Sequence, residues 1–195
     1  ESTDWSFITR TNGDTTETLQ DALTKAITYK EPSISTFIVT PNTTQYEIGI
    51  TVAKNTLKFD WTLADTDITN IKFNGTTISN TARTSTFTEA LSTAKTFKLQ
   101  VTNLKGTVEK SISIQFLPKV YYGASVKDTL TSAEVNALNG SLKSSRTGNY
   151  AITAGTNEYA YLCIPKSFGT PVVKIGGFET DMVSVGTISH TNSSG

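Results

Sequence analysis

Residues 97–116 read FKLQVTNLKGTVEKSISIQF, and this stretch decides the fold class. FKLQV at 97–101 and VEKSISIQF at 108–116 alternate between apolar and polar residues, with Lys105 and Gly106 between them. Such alternation is typical of a β-strand with one face in the core and one in solvent. The stretch therefore predicts two half-buried strands joined by a turn. The inward-facing residues are predicted to be Phe97, Leu99, Val101, Val108, Ile112, Ile114 and Phe116.

The same period of two extends upstream to Ser33. LKFDWTL at 57–63 alternates in the same way, and Pro41-Asn42 and Asn74-Gly75 are turn signals between the strands. About seven strands in this length predict an immunoglobulin-like β-sandwich. We assign it to residues 33–118, with Trp61 as its core tryptophan. The cysteine pair of antibody domains is missing, so the prediction is of the broad sandwich class.

Downstream, residues 117–128 read LPKVYYGASVKD. Pro118 cannot donate a ladder hydrogen bond, so we expect the last sandwich strand to end there. Tyr121 and Tyr122 point to opposite faces if the chain is extended, and Gly123 permits a turn. We therefore predict a domain junction at Tyr121, Tyr122 and Gly123 that is packed rather than flexible.

Residues 119–195 are predicted to form a second, small β-rich domain with one short helix. In TSAEVNALNG, Thr131 and Glu134 match a capping box, and Gly140 is expected to stop the helix. The strands are expected in YAITAG, EYAYLCIP, VVKIGGF and MVSVGTI. EYAYLCIP is apolar on both faces, which predicts a central strand covered on both sides.

Residues 1–32 are predicted to be an N-terminal segment with a short helix in TLQDALTKAITY, ended by Pro32. About three turns of helix are not stable alone, so the apolar stripe must pack on something. The partner is either the chain's own domain or symmetry mates in an oligomer. The candidate oligomer-packing residues on this stripe are Leu19, Leu23, Ala26 and Ile27.

The composition argues against several classes of function. Apolar residues make up 36% and charged residues 17%, with a formal net charge of zero. Nucleic-acid and membrane surfaces need clustered basic residues, so neither partner is expected. No apolar run is long enough to span a membrane. With one cysteine, no intrachain disulfide can form.

The residues also give little support to catalysis. Cys163 and His190 are the one conceivable nucleophile and base, but the cysteine lies in an apolar strand, where thiols are usually inert. One cysteine and one histidine do not make a zinc site. We therefore expect no enzyme activity, cofactor or metal. Carboxylates that are expected to cap turns, with calcium binding or glycoside hydrolysis as alternatives, are Asp60, Asp65, Asp67, Glu179 and Asp181.

Three aromatic residues lie outside the clear core alternation. Trp5, Tyr29 and Tyr150 are therefore candidates for glycan contact, although interface or core packing is the commoner role of such residues.

Several stretches together resemble structural proteins of tailed bacteriophages, in particular fibre or appendage proteins with an immunoglobulin-like module before a small β domain. These stretches are ALTKAITYKEPSI, YEIGITV, LKFDWTL, FNGTTIS, FKLQVTNLKGTVEKSISIQF, KVYYGAS, EYAYLCIPKSFG and KIGGF, and they cover roughly residues 19–192. The resemblance implies a location on the virion surface, self-association (often as trimers), contact with other virion proteins, and a role in assembly or host attachment. In such proteins another aromatic strand follows the point at which this chain ends, so we expect the 119–195 domain to be truncated.

The leading hypothesis is therefore a non-enzymatic phage tail fibre or appendage segment that forms a homo-oligomer, with a trimer favoured, and that displays β domains toward a host-surface glycan or another receptor. The main alternative is an adhesin or carbohydrate-binding module at a bacterial surface. A fragment of a polysaccharide depolymerase is a third alternative.

Overall fold

The computed structural model describes residues 10–12, 15–17, 30–64, 67–175, 178–180, 186 and 188–192. Within these residues the chain is mainly β, as the alternation predicts, with one short α-helix and one 3-10 turn at Lys166–Phe168. The elements are β1 (Arg10–Asn12), β2 (Thr15–Glu17), β3 (Ile34–Thr40), β4 (Gln45–Glu47), β5 (Lys58–Leu63), β6 (Asn70–Phe73), β7 (Thr76–Ile78), β8 (Thr84–Thr86), β9 (Lys95–Thr102), β10 (Thr107–Leu117), β11 (Lys119–Ser125), α1 (Ser132–Ala137), β12 (Asn139–Leu142), β13 (Tyr159–Cys163), β14 (Val173–Ile175) and β15 (Phe178–Thr180).

The strands form sheets in which most neighbours are antiparallel. The larger sheets have the orders β4-β10-β9-β6-β7, β3-β5-β8 and β12-β11-β13, and the pairs β1-β2 and β14-β15 form two-stranded ladders. β4 departs from the pattern because it runs parallel to β10, with Phe116 opposite Tyr46. Eight described strands lie between residues 33 and 118, one more than the periodicity indicated.

The chain divides into two compact units, each assembled from separate stretches. One comprises the described part of Glu1–Phe37 with Trp61–Arg83 and Lys98–Lys110. The other comprises Ile38–Asp60, Thr84–Phe97 and Ser111–Gly195. The domain boundaries inferred from the sequence, at 32/33 and 118/119, stay predictions.

Aromatic side chains form the core of each unit. In the first, Trp61 of β5 stacks on Phe73 of β6 with ring centroids 6.1 Å apart. In the second, Phe59 of β5 lies 4.5 Å from Phe97 of β9. In both units, therefore, β5 of the three-stranded sheet packs against a strand of the five-stranded sheet. The inward positions predicted in LKFDWTL and FKLQV are confirmed for Leu57, Phe59, Trp61, Phe97, Leu99 and Val101, which are buried, whereas Leu63 is half-buried. Of the positions predicted in VEKSISIQF, Ile114 is buried and Val108, Ile112 and Phe116 are half-buried.

Local turn chemistry agrees with the sequence. Asn74 and Gly75 both have positive φ, at 51° and 85°, and close the two-residue hairpin between β6 and β7. This is the backbone conformation that Asn-Gly accepts with least strain. At the β9–β10 turn, the side-chain oxygen of buried Asn103 accepts the backbone N–H groups of Lys105 and Gly106 at 2.8 and 3.1 Å.

Helix α1 lies against one face of the β12-β11-β13 sheet. The predicted capping box is confirmed: the Thr131 hydroxyl accepts the Glu134 N–H, and the Glu134 carboxylate accepts the Thr131 N–H at 2.8 Å. Val135 is buried, and Leu138 packs on the same cluster. The residues of this small core are Tyr121, Leu130, Val135, Leu138, Tyr161 and Cys163.

Two glycines have roles other than those the sequence suggested. Gly123 lies inside β11, not at a turn, and it leaves room for Leu138. The helix already ends at Ala137, with Leu138 extended, so Gly140 does not stop it. Gly140 lies in β12, where a Cβ would collide with the Lys119 side chain. Each glycine therefore leaves room for a side chain that crosses its strand, Leu138 at Gly123 and Lys119 at Gly140.

Two strand predictions were wrong. YAITAG at 150–155 has no strand structure. Tyr159–Cys163 forms β13, but among the described strands it is an edge, because β11 occupies the centre of its sheet. Only Tyr161 of this strand is fully buried. The apolar residues on both faces of β13 therefore belong to a partly covered edge strand and not to a buried central strand.

Parts of the prediction fall outside the described residues. They are the helix at 18–29 with its stripe Leu19, Leu23, Ala26 and Ile27, and most of the expected strand MVSVGTI.

Gly123→Ala is expected to lower the free energy of unfolding by about 1–3 kcal/mol, since the new Cβ would lie 2.9 Å from Cδ2 of Leu138. Urea denaturation of the purified chain measures this. In a Leu138→Ala background the obstructing methyl is absent, so the cost of Gly123→Ala should largely disappear. An equal cost in both backgrounds would show that the crowding is not with Leu138.

Candidate functional site

Strand β11 places its two tyrosines on opposite faces. Tyr121 is 3% exposed and faces α1, together with Tyr161 and Cys163 of β13. Tyr122 is half-buried on the other face and packs against Tyr150, with ring centroids 4.9 Å apart. The alternation of a strand therefore separates two environments, one polar and hydrogen-bonded and one aromatic.

The polar environment is centred on Glu47 at the end of β4, whose side chain is 11% exposed. The Tyr121 hydroxyl lies 2.9 and 3.1 Å from the two carboxylate oxygens and donates to them. Lys119 Nζ is 3.5 Å from Oε2 and 4.6 Å from the centre of the Tyr121 ring. A carboxylate so enclosed needs these donors, because an unpaired buried charge is strongly destabilising. We call Glu47, Lys119, Tyr121, Asn136 and His190 the Glu47 cluster.

His190 completes the cluster from the C-terminal segment 188–192. Its Nε2 lies 3.2 Å from the Tyr121 hydroxyl and 4.0 Å from Glu47 Oε1, and its Nδ1 lies 3.2 Å from Ser132 Oγ. Because the Tyr121 hydroxyl donates its hydrogen to Glu47, its oxygen is left as the acceptor toward Nε2 of His190.

Ser132 and Asn136 of α1 bind the same segment through its backbone. Ser132 Oγ accepts the Thr191 N–H at 2.9 Å and lies 3.2 Å from the Thr191 carbonyl oxygen. Asn136 Nδ2 donates to that carbonyl at 2.8 Å. These contacts fix the position of His190 beside Tyr121.

Burial changes the acid–base chemistry of the cluster. The pKa of Tyr121 is raised well above its ordinary value, chiefly by burial and then by the hydrogen bond to Glu47 and its negative charge. Tyr121 therefore stays a neutral donor throughout the physiological range. The arrangement holds a carboxylate and a chain segment in place, and the Ser132 oxygen is engaged by backbone rather than poised for attack.

The Cys163–His190 pair considered from the sequence has no joining hydrogen bond within the described residues, where His190 contacts Tyr121 and Ser132. Burial raises the pKa of the Cys163 thiol, which disfavours the reactive thiolate. The described histidine, cysteine and carboxylate side chains do not gather in groups of three or more suited to a metal ion.

The candidate carboxylates are dispersed where they are described. Asp60 is half-buried and lies 3.9 Å from Lys58 Nζ, and Asp67 is exposed. Glu179 belongs to β15, which pairs with β14. Asp65 and Asp181 lie outside the described residues.

Of the three aromatic candidates for glycan contact, Tyr150 is described. It is half-buried between Tyr122 and Lys143, whose Nζ lies 4.9 Å from the centre of its ring. Trp5 and Tyr29 lie outside the described residues. The glycan roles of these three residues and the junction role of Tyr121, Tyr122 and Gly123 stay predictions.

A second candidate site is an open pocket of about 420 Å³ next to the start of β13. Its exposed apolar members are Val126 and Tyr159, at 70% and 52% exposure. The sequence does not indicate this pocket, because Tyr159 has the Y-x-Y alternation of a core strand, whereas β13 is an edge strand in the described sheet. The lining residues are Val126, Lys127, Asp128, Thr129, Thr131, Glu134 and Tyr159. We call this the Tyr159 pocket.

Comparisons of the chain with protein-family models, with curated proteins and with solved structures gave no significant match. In the part of the chain that the structure describes, no helix has the length and apolar character needed to cross a bilayer.

Tyr121→Phe is expected to lower the free energy of unfolding by about 1–3 kcal/mol, because Glu47 loses a donor and remains buried. Urea denaturation at neutral pH measures the change. Tyr122→Phe is the matched control: it removes the same atom from the neighbouring residue, which packs through its ring, and should cost less than about 0.5 kcal/mol. Equal losses in the two variants would contradict the role assigned to the Tyr121 hydroxyl.

The capping box gives an acid-range prediction. Lys127, followed by the Thr131 backbone and hydroxyl, lowers the pKa of Glu134 from 4.5 to about 2. A lowered folded-state pKa stabilises the fold above the unfolded value of 4.5, and this contribution is lost as the pH falls toward 2. Carbon-detected NMR titration of the Glu134 carboxyl measures the pKa. Lys127→Met should raise it, and an unchanged titration in that variant would exclude Lys127 as the main cause.

Proposed function

We propose that the chain is a non-enzymatic virion structural protein of a tailed bacteriophage, a segment of a tail fibre or appendage that acts in assembly or host attachment. The support is the resemblance of several sequence stretches, in their order, to such proteins, together with a chain that is mainly β in its described part. The proposal includes a location on the virion surface and contacts with other virion proteins.

We assign the strands between residues 33 and 118 to an immunoglobulin-like sandwich. The support is a three-stranded and a five-stranded sheet that contact each other through aromatic rings, with buried Trp61 on the third strand of this region. Two sheets in contact through aromatic rings of the core are the arrangement expected of a β-sandwich.

The Glu47 cluster carries the functional proposal. An attachment protein must hold its exposed surfaces in fixed orientation, and the cluster fixes β4, β11, α1 and the 188–192 segment to one another with directed hydrogen bonds. The hydroxyl and imidazole that a hydrolase would use are engaged in this fixation. Function then depends on the surfaces that are presented and not on bond cleavage.

A bacterial surface adhesin or carbohydrate-binding module is the second candidate. The observation that favours it is the Tyr159 pocket, where an exposed aromatic ring adjoins carboxylate and hydroxyl side chains. A module of this kind would act as a monomer.

The oligomeric state separates the two candidates. We expect sedimentation equilibrium of the full chain to give three times the chain mass. Leu19→Asp combined with Leu23→Asp should dissociate the trimer, because charges on the predicted apolar stripe cannot be buried without partners. Thr24→Asp, on the polar side of the same predicted helix, is the control and should leave the mass unchanged. A monomeric wild-type chain would overturn the fibre proposal in favour of the module.

A further inference from the structure

We propose that the Tyr159 pocket binds a neutral hexopyranose, with one face of the sugar on the Tyr159 ring and its hydroxyls bonded to Asp128. The inference rests on the proposed function in that an attachment protein requires a receptor, but the site itself is argued from its own geometry. The pocket volume, about 420 Å³, lies in the range of small-molecule sites.

The apolar part of the pocket is the aromatic ring of Tyr159. Tyr159 is half exposed, and Tyr161 lies beside it on the same face of β13, with ring centroids 6.5 Å apart. Tyr161 is buried, and its hydroxyl donates to the Lys127 carbonyl at 2.6 Å. A pyranose presents C–H groups on one face, and these pack on an aromatic ring whose own position is fixed. Exposed Val126 extends the apolar surface beside the ring.

The polar part of the pocket is the carboxylate of Asp128. In the described part of the chain, its hydrogen bond is a long one, 3.5 Å, from the Thr129 hydroxyl. Most of its acceptor capacity is therefore available to a ligand, and hydrogen bonds to a charged acceptor are the stronger kind. Thr129 and Thr131 add hydroxyl groups to the same lining. A polyhydroxylated ring matches this set of acceptors and donors.

The loop that carries Asp128 is held in place before a ligand binds. Ser125 Oγ accepts the Lys127 N–H at 3.2 Å at its start, and the Thr131–Glu134 capping box fixes its end. Lys127 Nζ is paired with Glu134, which also keeps the ammonium from neutralising Asp128. Little conformational entropy is then lost on binding.

The charges of the lining select the type of sugar. With Lys127 and Glu134 paired, Asp128 leaves the pocket with a net negative charge. An acidic sugar would place its carboxylate against Asp128, which disfavours it. Neutral hexoses satisfy the carboxylate without this repulsion.

The test is NMR titration of the full-length, isotope-labelled chain with methyl glycosides of glucose, galactose and mannose, and with N-acetylneuraminic acid. We expect at least one neutral glycoside to shift amide signals of residues 126–131 and 159–161, and N-acetylneuraminic acid to leave them in place. Tyr159→Ala should weaken binding about tenfold through loss of the ring contact, and Asp128→Asn should weaken it severalfold. Tyr122→Ala is the control, because its ring packs on the opposite face of β11, against Tyr150.

A wild-type chain that binds none of the neutral glycosides at millimolar concentration would overturn the proposal. So would unchanged affinity in a Tyr159→Ala variant whose remaining spectrum shows the native fold, or a loss of binding in Tyr122→Ala alone. These results are independent of the chain mass in solution. A monomer that binds sugar would support the Tyr159 site and overturn the fibre proposal. A trimer that binds no sugar would support the fibre proposal and overturn the Tyr159 site.

Discussion

A carboxylate that is nine-tenths enclosed by protein constrains the C-terminal half of this molecule. Glu47 stands at the end of a three-residue strand, and removing its charge from water requires compensating donors. Tyr121 and Lys119 of β11 supply these donors. His190 and Asn136, from other parts of the chain, lie within hydrogen-bond distance of the Tyr121 hydroxyl. Elements far apart in sequence are thereby tied to one buried carboxylate and to the tyrosine hydroxyl that donates to it.

The alternation of β11 lets one strand serve two different environments. Its odd-numbered residues face α1 and the Glu47 cluster, and Tyr122 faces Tyr150. Gly123 and Gly140 complete the first face, because Leu138 and Lys119 pass over them. The Tyr159 pocket opens at the end of this same face, so the packing that fixes Tyr161 also positions the proposed sugar-binding ring.

Features set by short-range chemistry were predictable from the sequence. The alternation around Trp61 and Phe97, the Asn74-Gly75 hairpin and the Thr131–Glu134 capping box each depend on residues that are neighbours in the chain. The Glu47 cluster was not predictable, because Tyr121 is 74 positions from Glu47 in the chain and no local pattern around Glu47 indicates that the two side chains are in contact. The edge position of β13 was missed for the related reason that hydropathy reports apolar character but not which strand takes the centre of a sheet.

The parallel pairing of β4 with β10 has a mechanical consequence. Its bonds include Gln115 N–H to the Thr44 carbonyl at 2.8 Å and Ile48 N–H to the Leu117 carbonyl at 3.0 Å. Because the two strands run in the same direction, a force that pulls the chain before β4 and after β10 in opposite directions shears the two strands along each other. The ladder bonds then bear the load together and do not break one after another.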